Sequence, residues 1–288
     1  MSDNKLIKAI KNKGKTLEAE MSFFDHLNAL RSHLVRAAIA IAIFTSLAFY
    51  FNGFIVDTVI FGPKHADFWT YRMMCKMGEL LHRDGWCLKN FDFNIISTEL
   101  GSQINLVINS CIMTGIIFGF PYLLWELWRF IKPALHEKEK KAASGFVFYA
   151  SSLFLLGILF GYFIIAPISI KFLAGFTASA EIKNMFTIDS YLSTVTTLTL
   201  GSGIVFELPI LIYILVSLNI LNAKFMRNTR RYAIVIILII AAIITPTPDA
   251  ITMSVVAVPL LLLYEVGILV AIGVEKRRAK RDLLASKS

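Results

Sequence analysis

The chain has 288 residues, of which 56% are apolar and only 17% charged, with a net charge of +9. A soluble domain carries about 25% charged and about 45–50% apolar residues, so the composition excludes a single water-facing globule and favours long runs in lipid. In such a chain the placement of lysine and arginine matters more than their sum, and the basic balance is not a sign of nucleic-acid binding.

Residues 1–20 read as a basic tail, with no short apolar run ending in a small-residue cleavage site. In residues 22–35, Phe23, Leu27, Leu30 and Leu34 recur at helical spacing, and Ser22 with Asp25 is a weak capping-box signal. This predicts an amphipathic helix at the membrane surface leading into the first span. About 20 apolar residues cross a bilayer as a helix, and six runs approach that length: 37–56, 104–125, 143–166, 193–217, 232–245 and 251–273. The fifth is short for a crossing and implies snorkelled ends or thinned lipid. A turn, Pro246-Thr247-Pro248-Asp249, separates the last two. With six spans, 22 of the 29 lysines and arginines fall on one side, which places both termini in the cytoplasm. The expected architecture is therefore an all-α, six-span membrane bundle with a basic tail at 1–21, a membrane domain at 22–274 and a second basic tail at 275–288. No internal repeat of useful strength appears.

No HExxH, P-loop or GxSxG motif occurs, so no catalytic residue, cofactor or enzyme activity is expected. The five histidines are scattered over tail and loops and read as surface residues. The three cysteines make no CxxC or CxxH spacing, so no metal site is expected. Cys75 and Cys87 lie in the first outside loop, where a disulfide can close it, and Cys111 lies in the second span as packing.

Intramembrane carboxyls are costly and usually face protein or water. Glu207, in Phe206-Glu207-Leu208-Pro209, reads as a contact for a partner helix or substrate, or as an acid hydrogen-bonded within the bundle. Glu265, nearer the cytoplasmic end of the last span, reads the same way. Asp249 is a turn aspartate, and Glu99 precedes the second span as a candidate cap. Glu137 and Glu139 lie among five basic residues in the loop 129–141, where a carboxylate can pair with an arginine ligand through its two-pronged fork. Arg31 reads equally as a lipid-headgroup anchor. On this reading alone, Glu207 also admits a proton- or cation-coupled small-solute transporter, although such folds are expected to show symmetric broken helices.

Four blocks, spread over residues 22–274, resemble the TatC family, the core subunit of the twin-arginine protein translocase. Residues 23–31 (FFDHLNALR) resemble its FxxHLxELR block. Residues 121–139 (PYLLWELWRFIKPALHEKE) resemble its first cytoplasmic loop, with Trp128, Phe130 and Pro133. Residues 206–209 (FELP) resemble its FExP block, and 245–249 (TPTPD) its TPPD turn with one extra residue. The resemblance implies a concave six-helix fold in the bacterial inner membrane that reads twin-arginine signal peptides. It also implies TatA-like and TatB-like single-span partners, further copies of the same chain, and transport of folded proteins driven by proton-motive force. It assigns Glu139 and Arg31 to the signal-binding surface, with Glu137, Trp128 and Phe130 beside them. Glu207 falls to the partner-facing side, and Pro63 and Asp249 to outer turns. The family places a second glutamate in its ELR block. Here that position is Ala29, which cannot accept a charge-assisted hydrogen bond.

Overall fold

The computed structural model describes residues 23–80, 93–132, 145–177, 179, 181, 184–245 and 250–285. Helix α1 (Phe23–Tyr50) runs unbroken for 28 residues. The expected surface helix and first span are thus one rod, because neither glycine nor proline occurs between 23 and 50 to interrupt it. The chain then turns through a short helical piece (Asn52–Phe54), a π-helical turn (Ile55–Ile60) and a 3₁₀ turn (Gly62–Lys64) into helix α2 (Trp69–Leu80). Helix α3 (Ser102–Ile131) returns across the bundle. The next crossing is built of α4 (Phe146–Phe160), a π-helical turn (Gly161–Ile165) and α5 (Ala166–Gly175). The one after it is α6 (Ile188–Phe206) followed by α7 (Leu208–Ser217). A short helix α8 (Ala223–Asn228) leads into α9 (Arg230–Ile244) and α10 (Ala250–Ala285).

Five helical stretches among the described residues are long and apolar enough to cross a membrane: Leu30–Tyr50, Ser102–Ile131, Phe146–Gly175, Ile188–Ser217 and Thr252–Lys280. The sixth, α9, has 15 residues. At 1.5 Å per residue it is about 23 Å long, short of the roughly 30 Å hydrocarbon core, as its sequence predicts. The molecule is a multi-pass, mostly helical membrane protein. Helix α10 continues to Ala285, so the last basic segment extends the final helix rather than leaving it at 274.

Close helix approach is set by glycine pairs that the sequence reading passed over. Gly115 and Gly119 on α3 face α1, and a Cβ on Gly115 would lie 2.0 Å from Thr45 Oγ1 and 2.8 Å from its backbone nitrogen. A second pair, Gly157 and Gly161, meets α6 with a virtual Cβ 2.8 Å from the Ser202 carbonyl and 2.7 Å from that of Leu198. Both are small-xxx-small spacings, which let helix backbones touch in lipid. Gly115→Ala is expected to destabilise the protein by about 1–3 kcal/mol, because the contact is partly with backbone that cannot rotate away. Thermal unfolding in detergent measures it, and an unchanged midpoint would contradict the close approach.

Two ends of the bundle differ. At the near end, where α1 starts, α10 holds the 218–229 connection. Glu275 Oε1 accepts from the Ala223 backbone N–H at 2.7 Å, Tyr264 donates to the Met226 carbonyl at 2.9 Å, and Arg278 bonds the Asn219 side chain. Asn219 takes the left-handed conformation there (φ 61). At the far end, hydroxyls pair the carbonyls around the two π-helical turns. Tyr162 donates to Val59 (2.6 Å), Tyr191 to Ile60 (2.8 Å), Tyr71 to both Pro63 and Pro167 (3.0 Å each), and Thr70 to Phe163. Burial pushes the Tyr71 hydroxyl well above the usual tyrosine range, which keeps it a neutral donor. A two-residue parallel pairing, Ile95–Ile96 with Phe186–Thr187, ties the long first loop to the start of α6.

Candidate functional site

Among the described residues, three polar features set into the apolar bundle stand out. The first lies at the near end, between α1 and α3. Glu126 is buried at 1% exposure, and its carboxylate gathers four side chains. His33 Nδ1 is hydrogen-bonded to Oε2, and the Tyr122 hydroxyl donates to Oε1 at 3.1 Å. Arg129 Nη1 lies 3.4 Å from Oε1, and Arg36 Nη1 3.8 Å from Oε2. Helix geometry explains the set. Tyr122, Glu126 and Arg129 are four and three residues apart on α3, and His33 and Arg36 three apart on α1, so each group shares one face. Phe130 packs edge-on to His33 with ring centroids 6.2 Å apart. Arg129 lies over the Trp125 ring at 5.3 Å.

The second feature is Glu207, at the break between α6 and α7. Its backbone sits at φ −75, ψ −5, and its carbonyl receives the N–H groups of Ile210 and Leu211 at 3.0 Å each. Pro209 has no N–H to offer the turn before it, which fits a break at this point. Both carboxyl oxygens are buried, and no described group hydrogen-bonds to either. The third is a mixed cleft of about 340 Å³ between α3 and α6, lined by Asn105, Asn109, Asp189, Ser193, Thr196 and Thr197 and by the apolar Ile112, Met113, Ile116, Leu192 and Leu200. Asp189 accepts from Ser102 Oγ at 2.6 Å and from Asn105 Nδ2 at 3.0 Å.

Several expected site residues lie outside these three features. Arg31 is exposed on α1. Trp128 is buried at 7% exposure and stacks on Phe146, with ring centroids 4.3 Å apart, so its indole anchors α3 to α4 rather than lying open. Glu265 differs from Glu207: it is half-exposed and paired with Arg230 at 2.7 Å, because α9 begins beside it. Glu99 does not cap α3 through its side chain; Gly101 holds the cap position and the Glu99 carbonyl accepts the Ser102 N–H at 3.2 Å. Pro63 is buried in the 3₁₀ turn, and its carbonyl accepts from the Tyr71 hydroxyl at 3.0 Å. Cys75 is disulfide-bonded and Cys111 is a buried free thiol. Cys87, Pro133, Glu137, Glu139 and Asp249 lie outside the described residues. No cluster of three or more metal-binding side chains occurs among the described residues. The sequence reading missed Glu126 and set His33 aside as a surface residue. The available signal was an acid within an apolar run, read there only as part of a block.

The protein-family model for the Sec-independent protein translocase protein (TatC) matches residues 25–259. The chain belongs to the TatC family. Among TatC relatives, that of Blattabacterium sp. subsp. Periplaneta americana is 36% identical over 266 residues, covering 92% of this chain and all of the relative. TatC of Deinococcus radiodurans is 32% identical, covering 88% of this chain and 86% of the relative. Two crystal structures of the twin-arginine translocase receptor TatC resemble the fold. One superimposes with a TM-score of 0.62 at 31% identity, and one determined in DDM with 0.67 at 32%. Each covers 85% of this chain, and the chain spans 97% and 99% of those structures. The small-solute transporter reading is not favoured by these TatC likenesses.

Proposed function

We propose that this chain is the signal-peptide receptor and core of a twin-arginine translocase, passing folded proteins across a bacterial inner membrane on proton-motive force. The observation that carries this reading is the likeness to solved TatC receptors over nearly their whole length. Both termini lie in the cytoplasm on this reading, as the one-sided lysine and arginine distribution favours. The signal arginines are read at the near end, with the Glu139 carboxylate as acceptor, Glu137 beside it, and Arg31 and Phe130 on the same surface. Glu207 serves contact with partners: its oxygens, buried and without a hydrogen-bond partner among the described residues, are the acceptors for a polar side chain of a TatA-like or TatB-like helix, or of another copy of this chain, that inserts beside the α6–α7 break. The disulfide at Cys75 closes the first outer loop through Cys87, and Asp249 turns the chain between the last two helices.

Recognition of arginine by carboxylate gives this reading a quantitative test. Purified protein is expected to bind a twin-arginine signal peptide more tightly than its twin-lysine counterpart, since lysine lacks the planar fork. Ala29→Glu is expected to strengthen binding by about tenfold or more, as a charge-assisted hydrogen bond contributes roughly 1.5–3 kcal/mol. Equal affinity for both peptides would count against arginine recognition. Equal affinity of the two proteins would count against a role for position 29.

A further inference from the structure

Arg36 and Arg129 stand at the near end on neighbouring helices, and both lie within stretches apolar enough to cross a membrane. Among the described residues, the one acid within ion-pair distance of either is Glu126, which Arg36 approaches only to 3.8 Å. A guanidinium carries five N–H donors, so most of these donors have no acceptor within the described protein. Both side chains are about half-exposed. Among the described residues, one buried carboxylate faces two guanidiniums, which leaves a positive charge in excess there. Glu126 holds one edge of the pair and leaves the remaining donors to face outward. The surroundings fix the depth. Trp125 is 44% exposed beneath Arg129, and Tyr122 packs edge-on against it at 5.5 Å. An exposed tryptophan, with a partly buried tyrosine against it and a snorkelling arginine above it, marks the boundary between hydrocarbon and headgroups. The anion abundant at that depth is a lipid phosphate, which arginine grips with two parallel hydrogen bonds.

We infer that Arg36 and Arg129, oriented by Glu126, form a binding site for the phosphate of an anionic lipid headgroup at the seam of α1 and α3. This site stands independently of signal-peptide recognition. It is tested with the full chain purified in neutral detergent, titrated with phosphatidylglycerol or phosphatidylcholine, with bound lipid counted by native mass spectrometry. The expected result is preferential retention of phosphatidylglycerol. The preference is expected to fall by about tenfold in the Arg36→Gln/Arg129→Gln protein, since these two guanidiniums supply the paired hydrogen bonds to the headgroup phosphate. A Lys224→Gln/Arg227→Gln control keeps the preference. An unchanged preference in the first variant, or an equal loss in the control, would overturn the inference. If the double variant does not fold, Arg36→Gln alone carries the test, with a loss of about threefold expected and no loss overturning it. Inorganic phosphate is added to lipid-free protein as a separate arm. Stabilisation of wild type by millimolar phosphate, lost in the variant and without lipid preference, would assign the site to free phosphate and overturn the headgroup.

Discussion

Glu126→Leu is expected to lower the stability of the bundle by about 3 kcal/mol, the low end of the cost of removing one partner from a buried ion pair. The carboxylate binds α1 to α3 at the near end, beyond the glycine contacts that hold the same two helices farther along. Without it, His33 loses its acceptor, and Arg36 and Arg129 face each other across the seam. Because both arginines are half-exposed, water relieves part of the repulsion, which sets the estimate at the low end. Thermal or denaturant unfolding in detergent reads the change. A double-mutant cycle with His33→Leu is expected to show strong coupling, since contacting residues in one network are non-additive. Additive effects of the two substitutions would mean that His33 and Glu126 do not act together.

Glu207→Leu is expected to have the opposite effect on stability and a larger one on transport. Both carboxyl oxygens are buried without a hydrogen-bond partner among the described residues. Leaving a buried polar group unsatisfied costs about 1–3 kcal/mol, so an apolar replacement of similar size is expected to raise the unfolding midpoint. If the group serves partner helices, as proposed, export of a protein bearing a twin-arginine signal should fall to background in the same variant. A protein that is stabilised and still transports would show that Glu207 contributes nothing to the working face. A destabilised one would show that its oxygens are satisfied within the fold.

The spans and their order were legible because bilayer thickness imposes a run length that any one sequence displays. The short α9 was legible too, from its length; the break at Glu207, near Pro209, was not read from 193–217, which is one apolar run. The amphipathic stretch runs into the first span as one helix, since a change from amphipathic to apolar patterning does not by itself end a helix. Only a breaker does, and residues 23–50 contain none. Glu126 and His33 are 93 residues apart, so no local pattern links them, and a histidine among leucines looks like any surface residue. Glu265 and Glu207 look alike by hydropathy. What separates them is Arg230, brought beside Glu265 by the packing of α9 on α10. The glycine spacings at 115–119 and 157–161 were present in the sequence, but which helix each pair meets is a property of the fold. The π-helical turns left no local signature beyond Gly161, and their carbonyls are satisfied by tyrosines distant in sequence.

Signal recognition at the near end is tested most directly by placing a photoreactive residue at position 139 of the full chain in membrane vesicles and adding a twin-arginine signal peptide. A covalent adduct that forms with the twin-arginine peptide and is lost with the twin-lysine peptide is the predicted result. No adduct from folded protein, or equal adducts with both peptides, would contradict the assignment of this chain as a twin-arginine signal receptor.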